Sequence, residues 1–144
     1  MIQFLKTEKV LPLRNTILRE GKLTPEECIF QNDDHPDTFH LGFIPDQVPI
    51  CVVTFHHQNH PDYEGEAYQL RGMATAHAEQ GKGYGNKLVN FAIVYLRGKG
   101  VNYIWCNARQ KAFNFYQSLG FEFISETFDI PGIGPHKVMY LKIQ

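Results

Sequence analysis

The stretch Gln80-Gly81-Lys82-Gly83-Tyr84-Gly85 constrains this chain more than any other. It joins a strand-like run, residues 68 to 75, to a helix-like run, residues 86 to 96. Three glycines in five residues let the backbone pass close to a bulky anion. A helix starting directly after them aims free N–H groups, and the positive end of its dipole, at that anion. The first expectation is therefore a phosphate or diphosphate site at a strand-to-helix turn.

Known glycine-loop patterns divide the possibilities. The dinucleotide fingerprint requires G-x-G-x-x-G, with an acidic residue about 20 positions on to hold a ribose. Here the glycines run G-x-G-x-G, and no acidic residue closes the following strand. The Walker loop requires G-x-x-x-x-G-K-[ST]. Gly81-Lys82 fits it, but Ala76 replaces the first glycine and Gly83 replaces the magnesium-binding hydroxyl. A third pattern, [Q/R]-x-x-G-x-[G/A], is met in full by Gln80, Gly83 and Gly85.

Further along, Ala112, Phe115, Tyr116, Gly120 and Phe121 match A-x-x-[FLY]-Y-x-x-x-G-F, with a strand between the two motifs. In this order they resemble the signatures of the GNAT superfamily of acetyl-CoA-dependent N-acetyltransferases, over roughly residues 66 to 143. Phe128, Gly132-Ile133-Gly134-Pro135-His136 and Met139 resemble the C-terminal hairpin of a bacterial subgroup whose substrates are mostly unassigned.

A chain of 144 residues is long enough for one domain with a substantial core. The net charge of −1 gives no electrostatic reason to expect nucleic acid or an anionic membrane as partner. No apolar run approaches the roughly 18 residues that span a bilayer, and Met1 to Lys6 does not read as a signal peptide. The default expectation is cytoplasmic. Cys28, Cys51 and Cys106 are widely spaced and form no C-x-x-C pair, so neither disulfides nor a cysteine metal site is expected. Cys106, beside Trp105 in an apolar strand, reads as core.

Punctuation and periodicity place the elements. Helix 1 is expected from a Thr7 cap to Glu20-Gly21, with Pro12 inside it, and residues 21 to 37 as a loop. Strands are expected at residues 38 to 44, 50 to 57 and 66 to 75. Leu88, Phe91, Ala92 and Tyr95 give the next helix one apolar face, ended by Gly98 and Gly100. Residues 102 to 106 read as a strand covered on both faces, 110 to 119 as a short helix, and 121 to 129 with 136 to 143 as a closing hairpin. The order is βαβββαβαββ. This is an α/β (α+β) arrangement in which the strands around the glycine bend are parallel neighbours. By resemblance it is a GNAT-like mixed sheet of about six or seven strands flanked by helices. In that family these two strands splay, and the pantetheine arm lies between them.

Acetyl transfer to an amine needs a held diphosphate, a polarised thioester carbonyl, a neutral amine and a proton for the leaving thiolate. Backbone N–H groups from Gln80 to Gly85 suit the first task. Lys82 either adds charge or is a solvated loop lysine, and Tyr84 is more simply a packing residue. The resemblance assigns backbone groups of Met73, Ala74 and Thr75 to the pantetheine and thioester. Gly72, costly in a regular strand, suggests a bulge or a close backbone approach there. It also places Ala112 and Phe115 in the cofactor motif and makes Tyr116 the general acid, a phenol with a reference pKa of about 10. The family usually has asparagine seven residues before this tyrosine. Arg109 stands there instead, with Asn107 two positions earlier, so either could meet the cofactor. His136, by reference pKa and by its motif, is the second catalytic candidate.

The acceptor site should come from helix 1, the following loop and the closing hairpin. Arg14, Arg19, Asp33, Asp34, His35 and His40 are candidates there, or simply surface charge. His56 and His57 point to opposite faces of a strand, so the run from His56 to His60 reads as a polar strand end rather than a metal site. The expected reaction is transfer of an acetyl group from acetyl-CoA to a primary amine of a small molecule, without a metal. A homodimer is compatible with the resemblance. A non-catalytic acyl-CoA sensor is the competing reading, and a P-loop-type phosphate binder the third.

Overall fold

Strand alternation and helical periodicity resolve into eight strands and three α-helices in a computed structural model that describes residues 1–144. In chain order they are β1 (Ile2–Leu5), α1 (Thr7–Leu13), β2 (Phe39–Phe43), β3 (Cys51–His57), β4 (Ala67–Thr75), α2 (Tyr84–Gly98), β5 (Tyr103–Arg109), α3 (Phe113–Ser118), β6 (Glu122–Phe123), β7 (Phe128–Ile130) and β8 (Gly134–Lys142). The strands form one mixed sheet ordered β1-β2-β3-β4-β5-β8-β6, with β7 also on β8. The expected mixed sheet and its element order are observed, with one strand added at the end.

That extra strand has a local cause. Residues 121 to 129 form two short strands, because Ser125 interrupts the ladder. Its Oγ, not a backbone carbonyl, accepts the Val138 N–H at 2.8 Å. Helix 1 also departs from expectation. It is α-helical only to Leu13 and widens into a π-helical turn over Arg14–Leu18. Pro12 lies inside it and has no N–H to bond the preceding turn. Thr7 does not cap it; Lys6 holds the cap position, and the Thr7 side chain is buried.

The chain divides into two compact units, residues 1–57 with 70–95, and residues 58–69 with 96–144. In the first, β1 and β2 pair antiparallel from Ile2↔Phe43 to Leu5↔His40, and β2 and β3 from Phe39↔Phe55 to Phe43↔Cys51. Val10 and Leu11 of α1 pack with Cys28, Val52 and Ala74. On the other face of the same strands an aromatic group forms, with Phe39 stacked on Phe55 and Tyr95 edge-on to Phe39, each pair at 5.0 Å between centroids.

In the second unit β5 is the axis. Ala67, Tyr68 and Gln69 pair in parallel with Tyr103, Ile104 and Trp105, as the strand–helix–strand order requires. On its other edge β5 pairs antiparallel with β8 along its whole length, from Tyr103↔Lys142 to Arg109↔His136. β5 therefore runs past Cys106, where the sequence pattern ended it. Trp105 and Tyr103 share a buried cluster with Ala67 and Val138, and the Trp105 indole N–H donates to the Gln58 carbonyl at 2.7 Å. Cys106 is buried, and burial pushes its thiol pKa well up, consistent with a core residue. No helix is long and apolar enough to cross a membrane.

Candidate functional site

The glycine bend is bare. Gly81 and Gly83 take φ of +78° and +86°, where a side chain would be strained. A Cβ built on either would meet nothing within 4 Å, and both residues are exposed. These glycines are therefore required by the turn, not by crowding, and they leave the backbone open. The first bond of α2 runs from the Lys87 N–H to the Gly83 carbonyl at 3.2 Å. The N–H groups of Tyr84, Gly85 and Asn86 thus have no acceptor within the helix. Fifteen aligned residues put the positive dipole end at the same place. Free donors, dipole and bare glycine surface fit a diphosphate.

Side chains here hold the bend. Gln80 Nε2 donates to the Thr75 carbonyl at 3.1 Å, tying the bend to the end of β4. Lys82 Nζ lies 3.3 Å from Glu79 in an exposed pair, a contact of about 1 kcal/mol or less that an anion could displace. The Tyr84 ring packs on Phe43 at 4.5 Å, so this residue offers its N–H rather than its phenol.

Met73 and Thr75 are half-buried at the end of β4, and Ala74 belongs to the apolar core. Thr75 Oγ1 and Cys51 Sγ share a hydrogen bond of 3.2 Å. Gly72 has φ +65°, and a Cβ there would fall 2.9 Å from Arg14 Nε. The suspected close approach is real, and the neighbour is the Arg14 side chain.

In the second unit, a short 3-10 turn, Gln110–Ala112, leads into α3. It brings Tyr116 into the interior, with its ring against Phe115 at 5.0 Å and Phe121 at 5.3 Å. Burial, with a smaller contribution from Cys106, raises the phenol pKa well above its ordinary value. The proton therefore stays on at neutral pH. No protein group hydrogen-bonds the hydroxyl. Ala112 and Phe115 are half-buried beside it.

His136 is only 3% exposed and stands opposite Arg109 across the β5–β8 ladder. Its Nδ1 lies 2.8 Å from the Gly134 carbonyl. A carbonyl can only accept, so Nδ1 carries the proton and Nε2 the lone pair when the ring is neutral. Asn107, exposed, and Arg109, half-buried, project from the same face of β5 by the two-residue period. Cys106, whose charge would act on Tyr116, belongs to the other face. The two catalytic candidates thus flank β5 from opposite sides rather than meeting on one.

The first unit also holds a buried polar group whose partners no local sequence pattern marks. Arg14, on the widened turn after α1, is 1% exposed. Its Nη1 donates to Asp33 Oδ2 at 2.6 Å and to the Cys28 carbonyl at 3.0 Å. Its Nη2 donates to Asp33 Oδ1 at 3.2 Å and to Thr54 Oγ1 at 2.8 Å. Asp33 also accepts from His56 Nε2 at 2.9 Å and from the Phe30 N–H at 2.7 Å. Burial alone would raise the Asp33 pKa. The bonds from His56, Arg14 and Phe30 outweigh it and hold the carboxyl well below the usual range. His40 bridges the Asp33 carbonyl at 3.1 Å and Thr54 Oγ1 at 2.7 Å, and burial lowers its pKa, so it stays neutral. Arg14, Asp33 and His40 are therefore interior groups, not surface charge. The signal in the sequence was Thr54, a hydroxyl inside the buried run from Cys51 to Phe55, which needed a partner.

The profile described as "Acetyltransferase (GNAT) family" matches residues 8–121. The chain is 37% identical over 140 residues to the uncharacterized N-acetyltransferase YitI of Bacillus subtilis (strain 168), covering 96% of this chain and 93% of the relative. Among solved structures it is similar to Escherichia coli ElaA, with TM-score 0.77 and 19% identity over 97% of each chain. It is also similar to an aminoglycoside 6'-N-acetyltransferase complexed with coenzyme A, with TM-score 0.73 and 13% identity over 100% of this chain and 97% of that one. At those identities the structural likeness speaks to the fold alone.

Proposed function

The chain belongs to the acetyltransferase (GNAT) family, and on that premise we propose that it acetylates a primary amine of a small molecule, with acetyl-CoA as donor. The observation that carries this reading is the open bend, with its bare glycines and the acceptor-free N–H groups that start α2. The coenzyme A complex of a protein of the same fold supports it.

When bound, acetyl-CoA supplies an acetyl group activated as a thioester. The N–H groups of Gly81, Lys82, Gly83, Tyr84 and Gly85 hold its diphosphate, with Gln80 bracing the bend. Backbone groups of Met73, Ala74 and Thr75 position the pantetheine end, and Ala112 and Phe115 line the cofactor beside Tyr116. Asn107 or Arg109 adds a side-chain contact. A C–N bond forms as the C–S bond breaks. Tyr116 gives its phenolic proton to the departing sulfur, a role suited to a hydroxyl that stays protonated and is free of protein partners. His136 stands across β5 from Tyr116, so the proton lost by the amine passes to solvent, and one proton is given and one lost. The Gly134-Pro135-His136 hairpin is our reason for placing the chain in the bacterial subgroup that bears this motif.

Two measurements test this. Thermal stabilisation should appear with acetyl-CoA and coenzyme A, and not with ATP or NAD. Thiol release from acetyl-CoA should then depend on an amine. Stabilisation without turnover across a broad amine panel would identify an acyl-CoA sensor instead.

A further inference from the structure

Phe30 is held between two guanidinium groups. Arg14 Cζ lies 3.9 Å from its ring centroid and Arg71 Cζ 4.0 Å. Two planar cations cannot share one ring face at that distance, so each takes its own. Their circumstances differ. Arg14 is buried and neutralised by Asp33 through two hydrogen bonds. Arg71 is half-buried, and no carboxylate pairs with it. Asp33, the nearby acid, is already filled by Arg14, His56 and the Phe30 N–H. Burial, then the charge of Arg14, disfavours the Arg71 cation. A fixed, partly desolvated guanidinium without a counter-ion is a ready partner for a planar anion.

Position says which anion. Arg71 precedes Met73–Thr75 on β4, whereas the glycine bend follows Thr75. At about 3.3 Å per residue, Arg71 and Thr75 are roughly 13 Å apart along the strand. Arg71 therefore lies on the far side of the proposed thioester position from the diphosphate bend. Its ring partner Phe30 belongs to the loop after helix 1, from which the acceptor site was expected.

We propose that Arg71, fixed on Phe30, binds a carboxylate of the acceptor, so that the acetylated amine belongs to an amino-acid-like molecule. This rests on the acetyltransferase reading and names its substrate class. The test compares amino acids with their C-terminal carboxamides in thiol release from acetyl-CoA, for the native protein and for Arg71→Met and Arg71→Lys. Methionine keeps alkyl volume over Phe30 without the charge, and lysine keeps the charge without the fork. Melting temperatures confirm that each variant is folded. In the native protein the acid should exceed its carboxamide in kcat/KM by about tenfold or more. Arg71→Met should bring that ratio close to one, mainly through KM for the acid, and Arg71→Lys should restore part of it. Equal use of acid and amide by the native protein would overturn the assignment to Arg71 alone. So would a Met variant that slows both substrates by the same factor, the mark of a packing role. No thiol release with any amine, from a protein that acetyl-CoA does not stabilise, would overturn the transferase reading and this assignment with it.

Discussion

Two polar regions of the first unit are built on opposite plans. The Arg14–Asp33–His40–Thr54–His56 group is sealed, and nearly every donor finds an acceptor; Arg14 Nε alone is buried and unpaired. The bend is exposed at residues 81 to 83, and the half-buried helix start at residues 84 to 86 leaves consecutive N–H groups without helical acceptors. Satisfied, buried charge holds a structure together but offers a ligand nothing. Unsatisfied, exposed donors add little to stability and offer an anion everything it needs. The comparison separates a region that keeps the chain folded from the one we propose binds the cofactor.

Tyr116, in the other unit, combines both characters, with a buried ring and an unpartnered hydroxyl. It should give the largest effect. Tyr116→Phe should lower kcat by roughly 10²- to 10⁴-fold, with acetyl-CoA affinity and melting temperature nearly unchanged. A variant that fails to fold would make this tyrosine a packing residue only.

Asp33→Ala leaves the Arg14 guanidinium buried without its partner. That should cost about 3–5 kcal/mol, or roughly 10–20 °C in melting temperature. Acetyl-CoA affinity of the folded fraction should hold. Gly83→Val should do the reverse. Left-handed strain costs about 1–2 kcal/mol, while a side chain over the bend lowers coenzyme A affinity by about tenfold or more. Equal behaviour of these two variants would erase the distinction.

Acid should attack the sealed region selectively. The folded pKa values of His40 and Asp33 both lie below their unfolded values. Their contributions are complete above the unfolded pKa values, about 6.5 and 3.9, and are lost as pH falls through the folded ones. Stability measured by urea titration should be flat near neutrality and decline on acidification, first through His40 and then through Asp33. Asp33→Asn should remove the lower part of that decline. The smallest effect is expected from Lys82→Ala, which should weaken coenzyme A binding a few-fold at low salt and less at high salt.

Local chemistry was legible in the sequence. The glycine bend, the helix after it and the parallel strands on either side follow from turn residues and periodicity, and all are observed. What the sequence hid depends on contacts between distant residues. Arg14 meets Asp33 across 19 positions and Thr54 across 40, so charges flanking a helix and a loop looked like surface. The π-helical turn after Pro12 places Arg14, and periodicity counted along an ideal helix misses it. Nothing near Arg71 in the sequence marks it, because its ring contact is with Phe30, 41 positions earlier.

The central claim can be read amide by amide. In a ¹⁵N–¹H titration with coenzyme A, the backbone signals of Gly81 to Asn86 should move together and saturate, and NAD should leave them in place. If those signals stayed still while coenzyme A bound and shifted others, the bend would not be the diphosphate site and the account would fail.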